Sequence, residues 1–364
     1  MKKYLLITNE IEKNPKGGRE LLCKLNYDIL SNLFEDELKI IELKKKCDTK
    51  TNKIKDTLQG NIDGINSNTI KIILQDINKE NIIKIFIDGS NLGAIVVKIK
   101  KNYPSIEIIT YFHNVEARFF WGLLKKRKNI KSLGVLLANY LAEKSAVKYS
   151  DNIICLSSRD SNLLYRIYGR KSNYISPISL EDKFYSKNKE YSLYNARNYA
   201  LFVGSNFYAN VEGIRWFITK VVPFINIPVY IVGNGFDELF NELSIPKKVI
   251  VVGAVDNLND WYHNSKFVIA PIFDGSGMKT KVAEALMFGK KVIGTKEAFV
   301  GYEDELQKVG WLCNSSQEFI ETINHAERNI TSLFDSNIRT IYENKYSYTS
   351  MRDRYIEIFK SNNK

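Results

Sequence analysis

The sequence predicts an α/β protein of two doubly wound parallel sheets, Rossmann-like, with a cleft between them. Three observations carry that prediction. Short β-branched runs alternate with stretches of helical spacing along the chain. The runs are apolar at consecutive positions, which suits parallel strands covered by helices on both faces. Gly, Asn, Ser and Asp cluster just beyond the runs, where open α/β sheets hold their ligands.

In the first half the runs are YLLIT from Tyr4, LKIIEL from Leu38, IKIFID from Ile83, IEIITYF from Ile106 and NIICLS from Asn152. After Pro177 the pattern lapses into a polar stretch from Leu180 to Asn198, read as a linker. The rhythm restarts with YALFVG from Tyr199, PVYIVG from Pro228, VIVVGAV from Val249, FVIAPI from Phe267 and KKVIGT from Lys290. The final segment places Tyr348, Met351, Tyr355 and Phe359 three or four residues apart, which predicts one amphipathic helix from about Ile338 onward. Residues 1–180 therefore form one domain, joined by a helix over 341–364 that crosses back, and 199–340 form the second. The polar stretch from Lys44 to Asn68 is the sole low-complexity segment.

Composition bounds the classes. A chain of 364 residues with 44% hydrophobic residues buries large cores, and 20 Gly with 7 Pro excludes a collagenous or low-complexity protein. Lys and Arg number 53 against 41 Asp and Glu, for a net charge of +12, which admits nucleic acid, an acidic membrane surface or a phosphorylated substrate as partner. Cys23, Cys47, Cys155 and Cys313 are scattered, with neither a zinc-ribbon nor a disulfide spacing, so a reducing cytoplasm fits best. The N-terminus turns polar too soon for a signal peptide, and no apolar run reaches the roughly 18 residues a membrane span needs.

The segment PIFDGSGMKTKVAEALMFGKKVIGT from Pro271 carries the most chemistry. A strand ending at Ile272, a turn through Gly275, Ser276 and Gly277, and a helix opening near Met278 would aim free N–H groups and the positive end of a dipole at an anion. Thr280, Lys281 and Glu284 are spaced to share a helix face. The alternative is a tight turn followed by a surface Lys281–Glu284 pair. Similar small-residue ends occur at Asp88–Gly89–Ser90, His113–Asn114, Gly204–Ser205–Asn206, Gly233–Asn234–Gly235 and Gly253.

This segment resembles the donor-binding motif of GT-B glycosyltransferases of family 4, retaining enzymes that use nucleotide sugars. LFVGSNFYANVEGIRWF, IVGNG and VVGAVDNLNDWYHNSKFVIAP follow in that family's order, and YFHNVEARFF and LAEKSAVKYSDNIICLSSRDSNLL resemble its first-domain motifs. The resemblance spans about Ile83 to Val300. It implies a GT-B fold, with an acceptor-side first domain and a donor-side second domain.

By that resemblance Glu284 is the second glutamate of a Glu-x7-Glu signature and holds the ribose of the donor. The first glutamate is replaced by Ser276. Backbone groups of Gly275, Ser276, Gly277, Met278 and Lys279 cradle the diphosphate with Thr280 or Lys281 assisting, Gly204, Asn206, Asn210 and Gly233 line the donor site, and the base lies near Val255 and Asp256. The Arg and Lys that many members place after the first donor-domain strand are missing from the stretch Gly204 to Asn210. Lys279 and Lys281 take over, or Arg215 reaches back, or donor binding is weak or lost. His113 is the catalytic candidate, facing the donor sugar, with Asn114 and Glu116 beside it on the acceptor side. A packed or capping histidine is the alternative. Gly17 and Gly18 resemble the family's glycine loop, and also suit a plain turn before a helix.

The resemblance implies a sugar transferred from a nucleotide-diphosphate donor such as UDP-sugar to a glycan, lipid-linked or protein acceptor, with retention, in polysaccharide, glycolipid or glycoprotein synthesis. No cofactor or metal is expected: the sequence has no Asp-x-Asp and no histidine cluster. Phosphate-loop and dinucleotide fingerprints are also missing. Lys125, Lys126, Arg127, Lys128 and Lys131 adjoin the aromatics from Phe119 to Trp121, which suits peripheral contact with an anionic membrane or, alternatively, a solvated helix end. A non-catalytic GT-B-like subunit, a nucleotide-sugar epimerase and a nucleic-acid binder are the competing classes. The last lacks a recognition module, so no nucleic-acid partner is expected.

Overall fold

A computed structural model of the chain describes residues 3–13, 15, 17–43, 62, 65–184 and 198–360. Most of the Lys44–Asn68 stretch, Cys47 and residues 185–197 of the expected linker lie outside them. The chain divides into two compact units, Met1–Pro177 with Arg352–Lys364, and Ile178–Met351.

In the first unit, strands β1 (Lys3–Asn9), β2 (Leu38–Leu43), β3 (Ile82–Asp88), β4 (Glu107–Phe112), β5 (Asn152–Cys155) and β6 (Tyr174–Ile175) form one parallel sheet in the order β2-β1-β3-β4-β5-β6. Consecutive residues of β1 and β3, Leu5 to Ile7 and Ile85 to Ile87, are almost wholly buried, so both sheet faces are covered. The two-residue β6 is too short to leave a periodic signal in the sequence. The order reverses between β1 and β3, and the strand ends flanking that reversal carry Thr8 and Asp88.

In the second unit, β7 (Tyr199–Val203), β8 (Val229–Val232), β9 (Val249–Gly253), β10 (Ser265–Ala270), β11 (Val292–Gly294) and β12 (Gly310–Leu312) are parallel in the order β12-β11-β10-β7-β8-β9. Here the switch point lies between β7 and β10. β10 ends at Ala270 rather than the expected Ile272, since Pro271 has no N–H to continue the ladder. The following helix opens at Thr280, two residues later than expected, because Gly277 at φ 65° and extended Lys279 delay it.

The expected single C-terminal helix is two helices, Ser336–Lys345 and Tyr348–Lys360. Between them Leu180 donates its N–H to the Tyr346 carbonyl at 2.9 Å and accepts from the Tyr348 N–H at 2.9 Å, which takes those groups out of a helical ladder. The first of the two belongs to the second unit: Tyr342 donates to the Leu180 carbonyl at 2.8 Å and Arg339 to that of Met287 at 2.8 Å. The second packs on the first sheet, where buried Lys84 donates to the Phe359 carbonyl at 2.9 Å and Phe359 meets Tyr4, Phe34 and Phe86 edge-on or stacked.

The helix Tyr208–Lys220 lies so close to the loop after β10 that a Cβ on Gly213 would sit 1.9 Å from the Pro271 carbonyl oxygen. Gly213→Ala gains about 1 kcal/mol of helix propensity, but the backbone it strikes cannot rotate away, and overpacking costs about 1–3 kcal/mol. The variant is therefore expected to be less stable, read as a lower midpoint in chemical denaturation. A midpoint at or above that of the parent would contradict this packing.

Candidate functional site

Around the second switch point, backbones pass closely. Gly233, at φ 142°, donates its N–H to the Gly253 carbonyl at 2.7 Å, and a Cβ on it would fall 1.6 Å from the Gly204 carbonyl oxygen. Glycine is therefore obligatory where β8 ends beside β7. Asn206 is exposed, donating its N–H to Asn234 at 2.8 Å and its side-chain amide to Glu238 at 3.3 Å. Asn210 turns inward and donates to the Ser205 carbonyl at 3.0 Å. Half-buried Val255 and exposed Asp256 lie on the loop after β9.

The loop after β10 leads to the helix Thr280–Met287, whose N-terminal end has no side-chain cap. Val282 donates its N–H to the Lys279 carbonyl at 3.1 Å, and no side chain competes with an anion for the positive end of the helix dipole. Asp274 Oδ1 accepts the Gly275 N–H at 2.8 Å, and Gly275 and Gly277 have φ of 138° and 65°, which only glycine adopts without strain. Half-buried Ser276 lies between them. Met278 is buried, its sulfur accepting the Ile178 N–H at 3.4 Å, so its side chain is core and only its backbone is left for a ligand.

Charged residues of this loop and helix go separate ways. Lys279 Nζ donates to the Gly277 carbonyl at 2.8 Å and pairs with Glu297 at 3.0 Å. Thr280 is half-buried in the first helical turn. Lys281 is buried, its Nζ donating to Asn210 Oδ1 at 2.8 Å and lying 4.3 Å from the centre of the Phe202 ring. Burial pushes its ammonium down to about 7, helped by Lys279 and opposed by Glu284. Glu284 accepts from the Tyr262 hydroxyl at 2.7 Å, and burial raises its carboxyl above the usual range against the pull of Tyr262, Lys183 and Lys281. The surface Lys281–Glu284 pair is thus not what forms. Nor does Arg215 reach back: it pairs with Glu242 on the exposed side of its helix. Lys281 instead places its amine against Asn210, on the very stretch from which the expected cations are missing.

In the first unit His113 follows β4, 7% exposed, with Nε2 2.9 Å from Asp88 Oδ1 and the Tyr111 ring edge-on at 5.2 Å. Asp88 also accepts from Thr8 Oγ1 at 2.8 Å and Asn26 Nδ2 at 2.7 Å. Burial works to raise its carboxyl, yet the His113 ring and these donors hold it below the ordinary carboxylate range. Cys23 Sγ lies 3.9 Å from His113 Nε2. Among the described residues Cys23, Asp88 and His113 are near enough to share a metal ion. Their chemistry argues for a hydrogen-bonded group instead, since both Asp88 oxygens carry donors and burial drives the Cys23 thiol toward its protonated form.

The helix Glu116–Arg127 begins just after Asn114, and its N-cap Val115 offers no side-chain acceptor. Buried Glu143 replaces one, accepting from the N–H groups of Glu116 at 2.8 Å and Ala117 at 2.9 Å and from Tyr168 at 2.8 Å. That fixes the loop carrying His113. Gly17 and Gly18 form the N-terminus of the helix Gly18–Phe34, with the Gly17 N–H donating to Glu20 at 3.1 Å. Asp88, Asn26, Thr8 and Tyr262 were not singled out for a role in the sequence. Their partners lie tens of residues away, and only the position of Asp88 at the end of an apolar strand hinted at one.

The family described as "Glycosyl transferases group 1" matches residues 197–329. No curated protein matches the chain. Among solved structures, HepE of Anabaena in complex with UDP is similar over 99% of this chain and 100% of its own, with TM-score 0.67 at 13% identity. Sucrose-phosphate synthase from Thermosynechococcus elongatus matches over 99% and 98% with TM-score 0.74 at 11% identity. WaaG, a glycosyltransferase involved in lipopolysaccharide biosynthesis, matches over 100% of both chains with TM-score 0.62 at 13% identity. The fold is that of the GT-B glycosyltransferases, and the match to the group 1 glycosyl transferases lies within the second unit.

Proposed function

We propose that this protein transfers a sugar from a nucleotide-diphosphate sugar, of the UDP class, to an acceptor hydroxyl. The observation that carries the reading is the uncapped helix end at the β7/β10 switch point, entered through Gly275 and Gly277 and backed by Lys281 and Glu284. Solved neighbours with UDP and with UDP-glucose bound support the donor class. In this reading the diphosphate meets the backbone of Gly275 to Lys279, Glu284 accepts from the ribose hydroxyls, and the base lies by Val255 and Asp256. The bond from the anomeric carbon to the diphosphate oxygen breaks with its electron pair going to the diphosphate. The acceptor oxygen bonds the same face, and its proton passes to the departing diphosphate, which gives retention without a protein nucleophile. Amides and a nearby amine stabilise the charge that develops on the leaving group, so no metal or other cofactor is called for.

A peripheral membrane contact completes the proposal. On the helix Ile130–Tyr149 the side chains of Ile130, Leu133, Leu137 and Leu141 are exposed along one face, and exposed Trp121 on the preceding helix lies 5.5 Å under Lys125 Nζ. Lys125, Lys126, Lys128 and Lys131 are exposed beside them. Apolar side chains flanked by bases suit an anionic bilayer surface, and a glycan-lipid acceptor would be met there. Among the described residues no helix is long and apolar enough to cross a membrane.

A thermal-shift panel of nucleotide sugars tests the donor reading, since a ligand selective for the native state raises its melting point. Failure of every UDP, GDP and ADP sugar to do so would favour a non-catalytic subunit. Glu284→Ala is expected to weaken UDP-sugar binding about tenfold, near 1.4 kcal/mol, by calorimetry. Unchanged affinity would refute the ribose assignment. The pH dependence follows from Lys281. With the unfolded amine at 10.5 and the folded one at about 7, its burial costs stability below 7, and the cost fades as pH rises toward 10.5. A diphosphate beside it favours the ammonium, so UDP binding at a pH of about 8.5 takes up a proton, and affinity falls as pH climbs. Calorimetry in buffers of different ionisation enthalpy should show that uptake, and Lys281→Met should abolish it. For the membrane contact, changing Lys125, Lys126, Arg127, Lys128 and Lys131 to Ser should release the protein from anionic vesicles in flotation, each base contributing about 1 kcal/mol.

A further inference from the structure

In the first unit a chain of hydrogen bonds has a direction. The Tyr355 hydroxyl, on the last helix, donates to Asn26 Oδ1 at 2.5 Å, which commits the other side of that amide, Nδ2, to donate to Asp88 Oδ1 at 2.7 Å. Thr8 Oγ1 donates to Asp88 Oδ2 at 2.8 Å. An ionised carboxylate only accepts, so His113 Nε2, 2.9 Å from Asp88 Oδ1, has to carry the hydrogen of that contact. The other ring nitrogen, Nδ1, is buried and has no hydrogen-bond partner. Leaving such a group unsatisfied is costly, and native proteins keep few of them. The charged and titratable groups of this cluster include Cys23 and Arg19 on the first helix, Asp88 on β3, Tyr111 on β4, and Arg354 and Tyr355 on the last helix. Of these, Asp88 Oδ1 at 2.9 Å and Cys23 Sγ at 3.9 Å contact the ring, both at Nε2.

We propose that Tyr355, Asn26 and Asp88 are positioning residues that lock the His113 ring with its hydrogen on Nε2, holding Nδ1 bare as the acceptor for a ligand hydroxyl. That the hydroxyl belongs to a sugar rests on the glycosyl-transfer reading above, whereas the locked ring does not. The relay runs from the last helix to the switch point of the first sheet: Asn26 comes from the helix Gly18–Phe34, Asp88 and Thr8 end adjacent strands, and His113 follows the next strand. A histidine held in one orientation meets a ligand hydroxyl without first sorting its tautomers, so its contact is ready when the ligand arrives.

The sequence has three histidines, so nitrogen-15 NMR of histidine-labelled full-length protein resolves His113, assigned by its loss in His113→Gln. The parent is expected to show the Nε2–H tautomer with Nδ1 unprotonated. Asp88→Asn should move the ring toward mixed tautomers and lower kcat at least about tenfold, with the donor KM within about twofold. Tyr355→Phe keeps the packed ring and removes one hydroxyl, so it folds even where Asp88→Asn does not. It should shift the His113 signals in the same direction, with a smaller loss of kcat. An Nδ1–H tautomer in the parent, His113 signals that neither variant moves, or an unchanged kcat in folded Asp88→Asn would each overturn the relay. A parent that binds no nucleotide sugar yet shows the expected tautomer and its response to both variants refutes glycosyl transfer and leaves the relay standing.

Discussion

What the second unit can offer an anion depends on how closely its backbones pass at the ends of β7, β8 and β10. Gly233 lies against Gly204, and Gly213 lies against Pro271, with no room for a Cβ in either place. These approaches bring the loop after β7 and the loop after β10 to one side of the switch point. A Cβ at either glycine would meet a backbone carbonyl oxygen at less than 2 Å, 1.6 Å at Gly233 and 1.9 Å at Gly213, so the backbones would have to part.

Burial then gives similar residue types different tasks. Lys281 and Lys279 are two residues apart, yet the first is buried against an amide and an aromatic ring while the second is tied to Glu297 and a carbonyl. An amine lowered to about 7 by desolvation responds to an arriving anion, because the anion supplies the stabilisation that water no longer does. Asp88 and Glu143 show the same contrast among carboxyls. Asp88 has a histidine and two side-chain donors and stays on the acidic side. Glu143, capping a helix with backbone N–H groups and a tyrosine, is still raised by its burial. Each helps to hold His113, one through the ring and the other through the following helix.

Much of the fold was legible. Ten of the twelve strands among the described residues announced themselves as β-branched runs, because a strand buried on both faces must be apolar at consecutive positions. The two that did not, Tyr174–Ile175 and Gly310–Leu312, are short edge strands whose pairing is decided by their neighbours. The glycine turn and the helix after it were legible for a similar reason: positive φ and close approach leave few residue choices. The break at Tyr346 was not, since Tyr348, Met351, Tyr355 and Phe359 keep helical spacing and the interruption comes from Leu180, far away in the chain.

The sequence by itself determined the alternation of strands and helices, the places where the chain turns without side chains, and the absence of cations between Gly204 and Asn210. These are local properties, set by steric and hydrophobic demands within a few residues. Only the tertiary structure decided that Lys281 rather than Arg215 meets Asn210, that Glu284 meets Tyr262, and that Asp88, Asn26 and Tyr355 converge behind His113. Those contacts join residues up to 329 positions apart, and no local preference encodes which donor a buried acceptor will find once the sheets have closed around it.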